Sequence, residues 1–397
     1  MLRVLGFLVL FVASAAPAFA HHGAGTFVLR ETVSFDNARL TRVEFINPHS
    51  WLYFEVTDVN GRVSRHRCEM RSAHTLRRSG WSNDMFRSGE IVDITASPDR
   101  ADPNSCYLQT ILFEDGGRMD RYGQYVRGPA GGIKEVRGPI REATRDRPLR
   151  QPTGELNLEG DWAPEQVVMA DPRGVGGGLV PLSTIDEVTP GVQGGRAGGG
   201  GAGRGGRGGG RGTGPRLYGG TELTELGTKE AAAFTQADNP RFRCETTSII
   251  FDWTFDGPVN RVVQNPDAIV IHYGQLGLRR TIFMSLKAHP PNIKPSRAGH
   301  SIGRWEGNTL VVDTVGFLPG VLSGSVKHSD QLHVVERFTL DPETMILTRS
   351  YEATDPVYLK GTYRGQDRIQ PADAPYAEDN CKEQGFINYA EQQAKQP

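Results

Sequence analysis

A pair of histidines, His21-His22, directly follows Ala18-Phe19-Ala20, the small-x-small pattern after which signal peptidase cuts. Cleavage there leaves His21 with a free α-amine. A terminal amine and a neighbouring imidazole close a chelate ring around a nitrogen-seeking ion such as Cu(II). His49, in Asn47-Pro48-His49, supplies a further ring from the loop before a strand. The expected metal set is therefore His21, His22 and His49, and the expected metal is copper. The plainer alternative is a solvated terminus and a turn histidine bonded to nearby backbone.

A second constellation follows from hairpin arithmetic. If Gly307-Asn308 forms a two-residue turn, Glu306 pairs with Thr309, Arg304 with Val311 and Ile302 with Asp313. Period two then sets His300, Arg304 and Asp313 on one face, and Trp305, Leu310 and Val312 on the other. The polar trio are the catalytic candidates, with His300 as general base toward an oxygenated ligand. A solvated outer face is the competing account.

A third constellation places charge where apolar residues are expected. In Gln331–Leu340, Glu336 shares a face with Leu332, Val334 and Phe338. A four-residue loop over Asp341–Thr344 would bring Glu336 opposite Arg349, itself flanked by Met345, Leu347 and Tyr351. An inward Glu–Arg pair serves either as a ligand site or as a structural cross-link. His289 and His328 lie in expected loops able to cap a barrel mouth, and complete the ligand-binding candidates. His328-Ser329-Asp330 is set aside as a hydrolase triad, because neighbours in sequence do not easily form that relay.

The elements needed to position these residues are short strands. Ala38–Phe45, Ser50–Thr57 and Val63–Met70 alternate or run apolar, with a hairpin signal at Asn60-Gly61. A helix over Ser72–Ser79 and strands Ile91–Ser97 and Cys106–Glu114 follow. That order predicts a small Greek-key barrel of the OB type over residues 21–119. Residues 120–156 read as a linker rich in Arg, Pro and Gly. Residues 157–385 read as a larger lipocalin-like up-and-down barrel, opened by Gly160-Asp161-Trp162. Its expected elements are a helix over Glu222–Phe234 and strands Thr247–Phe255, Val259–Gln264, Ala268–Tyr273, Arg279–Met284, Ser301–Trp305, Thr309–Thr314, Gln331–Leu340 and Met345–Glu352. A Gly- and Arg-rich insertion over 190–217 cannot bury enough apolar surface to order itself. The fold class is thus all-β, in two barrels.

Composition fits an exported chain. Arg3 followed by the short apolar run Val4–Val12 is the pattern of a leader over residues 1–20. No later apolar run reaches the roughly 20 residues of a membrane helix. The formal net charge of −1 gives no electrostatic case for nucleic acid. Four cysteines suit an oxidising compartment. In OB topology the third and fifth strands are neighbours, which predicts Cys68–Cys106 and leaves Cys244–Cys381. Zinc is the rival reading, but no C-x-x-C spacing is present.

His21-His22, Asn47-Pro48-His49 and Ser79-Gly80-Trp81 resemble an uncharacterised family of exported bacterial proteins with a small N-terminal β domain. Gly299-His300-Ser301-Ile302-Gly303-Arg304-Trp305-Glu306-Gly307 with Thr309–Thr314, and His333-Val334-Val335-Glu336-Arg337-Phe338, resemble a second uncharacterised family. The resemblance implies export and β architecture and carries no activity. The expected function is a periplasmic or secreted protein holding a small, partly apolar molecule in the lumen of its larger barrel. The alternatives are an enzyme on such a molecule and a copper-binding protein built on His21.

Overall fold

The computed structural model describes residues 27–383 except 30, 80, 82, 101, 121–124, 127–146, 166, 170–178 and 182–220. The expected leader, His21, His22, most of the linker and the Gly-rich insertion lie outside the described residues.

The N-terminal unit is a five-strand barrel. Its strands are β1 (Val33–Glu44), β2 (Trp51–Thr57), β3 (Val63–Glu69), β4 (Ile91–Pro98) and β5 (Ser105–Phe113). The sheet runs β3-β2-β1-β4-β5, and a parallel β3–β5 pairing closes it. Cys68 sits opposite Cys106 in that pairing, and the two form a disulfide. Helix α1 (Ala73–Arg78) lies between β3 and β4, with the Ser72 hydroxyl accepting from the Thr75 amide as its N-cap. The core collects Leu40, Leu52, Phe54, Ile94, Leu108 and Ile111 from the inward faces of the strands, with Leu76 from α1 packed among them.

The C-terminal unit is a closed nine-strand barrel. It comprises β6 (Gly160–Pro164), β7 (Asn260–Gln264), β8 (Ala268–His272), β9 (Arg279–Phe283), β10 (His300–Glu306), β11 (Thr309–Val315), β12 (His333–Leu340), β13 (Leu347–Thr354) and β14 (Thr362–Pro371). The order is β7-β8-β9-β10-β11-β12-β13-β14-β6, antiparallel except at β9–β10. That parallel seam requires the long connection 284–299, which carries His289. Trp162 of the Gly160-Asp161-Trp162 opening is fully buried, and its indole donates to the Leu158 carbonyl.

Three expectations change. Thr247–Phe255 is a run of tight turns packed inside the barrel, not a strand. β14 closes the barrel although no strand was expected there. The linker ends earlier than residue 156: Arg147 stacks over Trp162, and Leu156 belongs to the barrel core.

Candidate functional site

The hairpin β10–β11 has the register read from the sequence, Glu306 opposite Thr309, Arg304 opposite Val311 and Ile302 opposite Asp313. His300 and Asp313 therefore share the outer face. Two further imidazoles join them. His289 Nδ1 lies 2.8 Å from His300 Nδ1, and its Nε2 lies 3.0 Å from Asp313 Oδ1. His333, at the start of β12, places Nε2 3.1 Å from the same oxygen. The resulting order is His300–His289–Asp313–His333.

Local structure explains the convergence. Gly299 adopts a φ of +67°, and a Cβ there would lie 2.8 Å from the Thr314 side chain and 2.9 Å from Phe317, so only glycine lets the chain enter β10 this close to β11. In the connection 284–299, the Ser296 amide donates to the Gly316 carbonyl, and the Leu318 amide to the Ser296 carbonyl. His289 is thereby carried over the β10–β11 end. Phe283 stacks against the His300 ring with centroids 5.1 Å apart. Burial, and next the charge of His289, hold His300 below the usual imidazole range. The side chains are only partly buried, His289 at 19%, Asp313 at 30% and His333 at 43% exposure, so the patch is open to a solute.

Arg304 does not join this group. It sits further along β10, bonded to Glu306, which also pairs with Arg337. Arg304 thus lies on a solvated face, whereas His300 and Asp313 are bonded into the imidazole cluster. His333 was absent from the candidate set, although period two in β12 puts it on the outward face with Val335 and Arg337.

Glu336 and Arg349 do meet inside the barrel, with Arg349 Nη1 3.2 Å from Glu336 Oε1 and both residues at most 1% exposed. The register differs from the expected one: Leu340 pairs with Leu347, and Arg349 lies opposite Phe338. The contact is diagonal. Arg280 pairs with the other Glu336 oxygen, and Arg349 forms a two-point contact with Asp367, 3.1 Å at Nε and 2.5 Å at Nη2. Burial raises the Glu336 pKa, but Arg280 and Arg349 outweigh it and hold the carboxyl below its usual range.

The guanidinium of Arg349 also donates to the carbonyls of Ile249 and Ile250, at 2.8 and 2.9 Å. Trp253, from the same turn-rich segment, packs against Tyr273, Phe338 and Arg349. Ile249, Ile250 and Trp253 thus occupy the interior that the sequence assigned to a ligand. Through Arg349 the pair is bonded to this internal segment. Arg280 was legible by the same signal as Glu336, since it precedes Ile282 and Met284 on one face of its strand.

His328 is not a mouth residue. It ends the short strand Val326–His328, is 5% exposed, packs on Phe317 and bonds the Ser329 carbonyl through Nδ1. Burial lowers its basicity. Ser329 bonds Asp355 instead of any catalytic partner. His49 is also relocated. Its Nδ1 lies 2.9 Å from Glu69 Oε1 and its ring meets the edge of Phe242 from the other barrel, so it lies at a seam; the N-terminal arm it was expected to meet lies outside the described residues. Burial lowers its pKa and Glu69 raises it, with the raising effects prevailing. Among the described residues no group of three or more His, Cys, Asp or Glu side chains is arranged to hold a metal ion. Cys244 and Cys381 form the second disulfide.

Fold and site together define an all-β protein of two barrels, the larger bearing an imidazole–carboxylate cluster on its outer wall. Residues 9–106 match a family of unknown function (DUF6152), which covers the N-terminal barrel as far as β5. Comparison with curated proteins and with solved structures gives no match.

Proposed function

We propose that the mature protein is exported and binds a small oxygen-bearing molecule on the outer wall of its C-terminal barrel, at His289, His300, Asp313 and His333. The observation that carries this reading is the convergence of four polar side chains from four separate segments beside an aromatic ring. Further along the same wall Arg304, Glu306 and Arg337 also pair with one another, but all three are more exposed than the His–Asp group. In that group His289 bonds both His300 and Asp313, and His333 bonds the same carboxylate oxygen, on a partly buried patch suited to hydrogen-bond donors and acceptors on a ligand. Export rests on the leader pattern, and the two disulfides agree with an oxidising compartment.

The test is native mass spectrometry of protein recovered from the exported fraction. The expected species begins at His21 and carries a bound small molecule that is lost in His333→Ala and Asp313→Ala. An uncleaved chain would overturn export. A bound mass unchanged by both substitutions, or no bound mass in the unsubstituted protein, would overturn this site.

A further inference from the structure

We infer that Asp313, His289 and His300 form a proton relay that presents Nε2 of His300 as a general base to a hydroxyl group of a bound molecule. This deepens the binding reading by giving the ligand a proton to surrender. It can be examined without any ligand, so its failure would leave that reading intact.

The argument starts from acceptors. An ionised carboxylate only accepts, so Nε2 of His289, 3.0 Å from Asp313 Oδ1, must carry a proton. In neutral His289 the other nitrogen, Nδ1, is then a bare lone pair. Its partner 2.8 Å away is Nδ1 of His300, which must therefore be the donor. Neutral His300 is left with its proton on Nδ1 and its lone pair on Nε2. Solution imidazole favours the opposite tautomer, so the arrangement is imposed by Asp313 through His289.

Protonation completes the relay. When Nε2 of His300 takes a proton from a hydroxyl, the proton between the two rings shifts from His300 Nδ1 to His289 Nδ1. One proton enters, one moves, and no other bond changes. His300 remains neutral with its proton now on Nε2, and the positive charge rests on His289 beside the Asp313 carboxylate. The low basicity of His300 and the influence of His289 upon it agree with charge settling on the inner ring. His333 reaches the same Asp313 oxygen from the other side and fixes that carboxylate in place. His333 is a positioning residue in this scheme.

Nitrogen-15 spectra of the histidine rings test it directly. At pH 8 His300 is expected as the Nδ1–H tautomer and His289 as Nε2–H. On acidification His289 should become imidazolium first, while His300 switches to Nε2–H and stays neutral. Asp313→Asn should return His300 to the solution tautomer. Carbethoxylation of Nε2 of His300 by diethyl pyrocarbonate, in which that lone pair attacks the carbonyl and ethyl carbonate leaves, should slow at least fivefold in Asp313→Asn and in His289→Gln. A His300 that already carries its proton on Nε2 at pH 8, or that charges before His289, would overturn the relay. So would equal modification rates in the unsubstituted protein and both variants, once circular dichroism shows the variants folded.

Discussion

Glu336 keeps its charge inside a protein because two guanidiniums, not one, face it. Arg280 pairs with one oxygen and Arg349 with the other, and Asp367 neutralises the far side of Arg349. Desolvation of such a chain costs about as much as its Coulomb attraction returns, so the net stabilisation over apolar residues is small. Removing one member is different, since it strands the others. Glu336→Ala and Arg349→Ala should each cost about 3–5 kcal/mol. The double substitution should cost at least about 1 kcal/mol less than their sum, because the second change removes a group that has already lost one of its charged partners. Urea unfolding of the three variants measures this, and strict additivity would mean the two groups do not interact. The pair was legible because a charge in an apolar row stands out at any register. The register itself was not, because the turn runs over six residues, Asp341–Ile346, instead of four. The diagonal neighbours of a sheet still reach one another when the side chains are long, which is why the expected contact survived a two-residue slip.

At the scale of elements, the segment Thr247–Phe255 shows where pattern reading stops. Its β-branched and aromatic residues favour a strand, yet its polar residues bind backbone within the segment. Thr247 donates its amide to Asp252 Oδ2 at 2.7 Å, and Phe251 donates its amide to the Ser248 hydroxyl at 3.0 Å. These local bonds satisfy the backbone in turns and free the segment from any ladder. Strand β14 was missed for the converse reason: Arg364, Gln366 and Arg368 alternate with inward Tyr363, Asp367 and Ile369, and the inward charge hides the period. The strands flanking tight Gly turns were legible almost to the residue. Asp252 also gives the internal segment a pH dependence. Burial pushes its carboxyl up to about 7, against which Arg241 and the Thr247 amide act in the opposite direction. The folded chain then holds a proton that the unfolded chain releases near pH 4, so stability falls as pH rises from about 4 to about 7 and is level beyond. Asp252→Asn keeps the acceptor for Thr247 and removes the ionisation. Its melting temperature should exceed that of the parent at pH 8, and the gap should close toward pH 4. A gap that is constant across this range would assign the effect to packing alone.

For the whole molecule, the question is whether two barrels behave as one body. The sequence marked Asn47-Pro48-His49 and Ser79-Gly80-Trp81 as motifs without saying what they meet, and the answer depends on chain that is remote in sequence. Asn47 donates to Asp379 at 2.6 Å, and Asn380 donates to the Phe45 carbonyl at 3.1 Å. The chain following β14 thus returns across the seam, and Cys244–Cys381 ties it to the larger barrel. Arg71 and Arg241 approach Asp256 from the two barrels, at 3.4 and 2.6 Å. The densest contact belongs to Arg78 at the end of α1. Its guanidinium donates to Asp373 at 2.8 Å, to the Gly257 carbonyl at 2.9 Å and to the Pro164 carbonyl at 2.8 Å, and its side chain is 5% exposed. An Arg fork matched to one carboxylate and two carbonyls is geometrically exacting, and lysine cannot reproduce it. Each barrel has its own core, so loss of this contact should uncouple them before it unfolds either. Arg78→Ala and Arg78→Lys should each convert a single calorimetric transition into two, with the disulfides intact. The Asp373 carboxylate and both carbonyls lose the Arg78 guanidinium in the alanine variant, at a cost of about 3–5 kcal/mol. A single transition shifted downward in both variants would show that the barrels unfold together by some other linkage, the Cys244–Cys381 strap being the first to remove next.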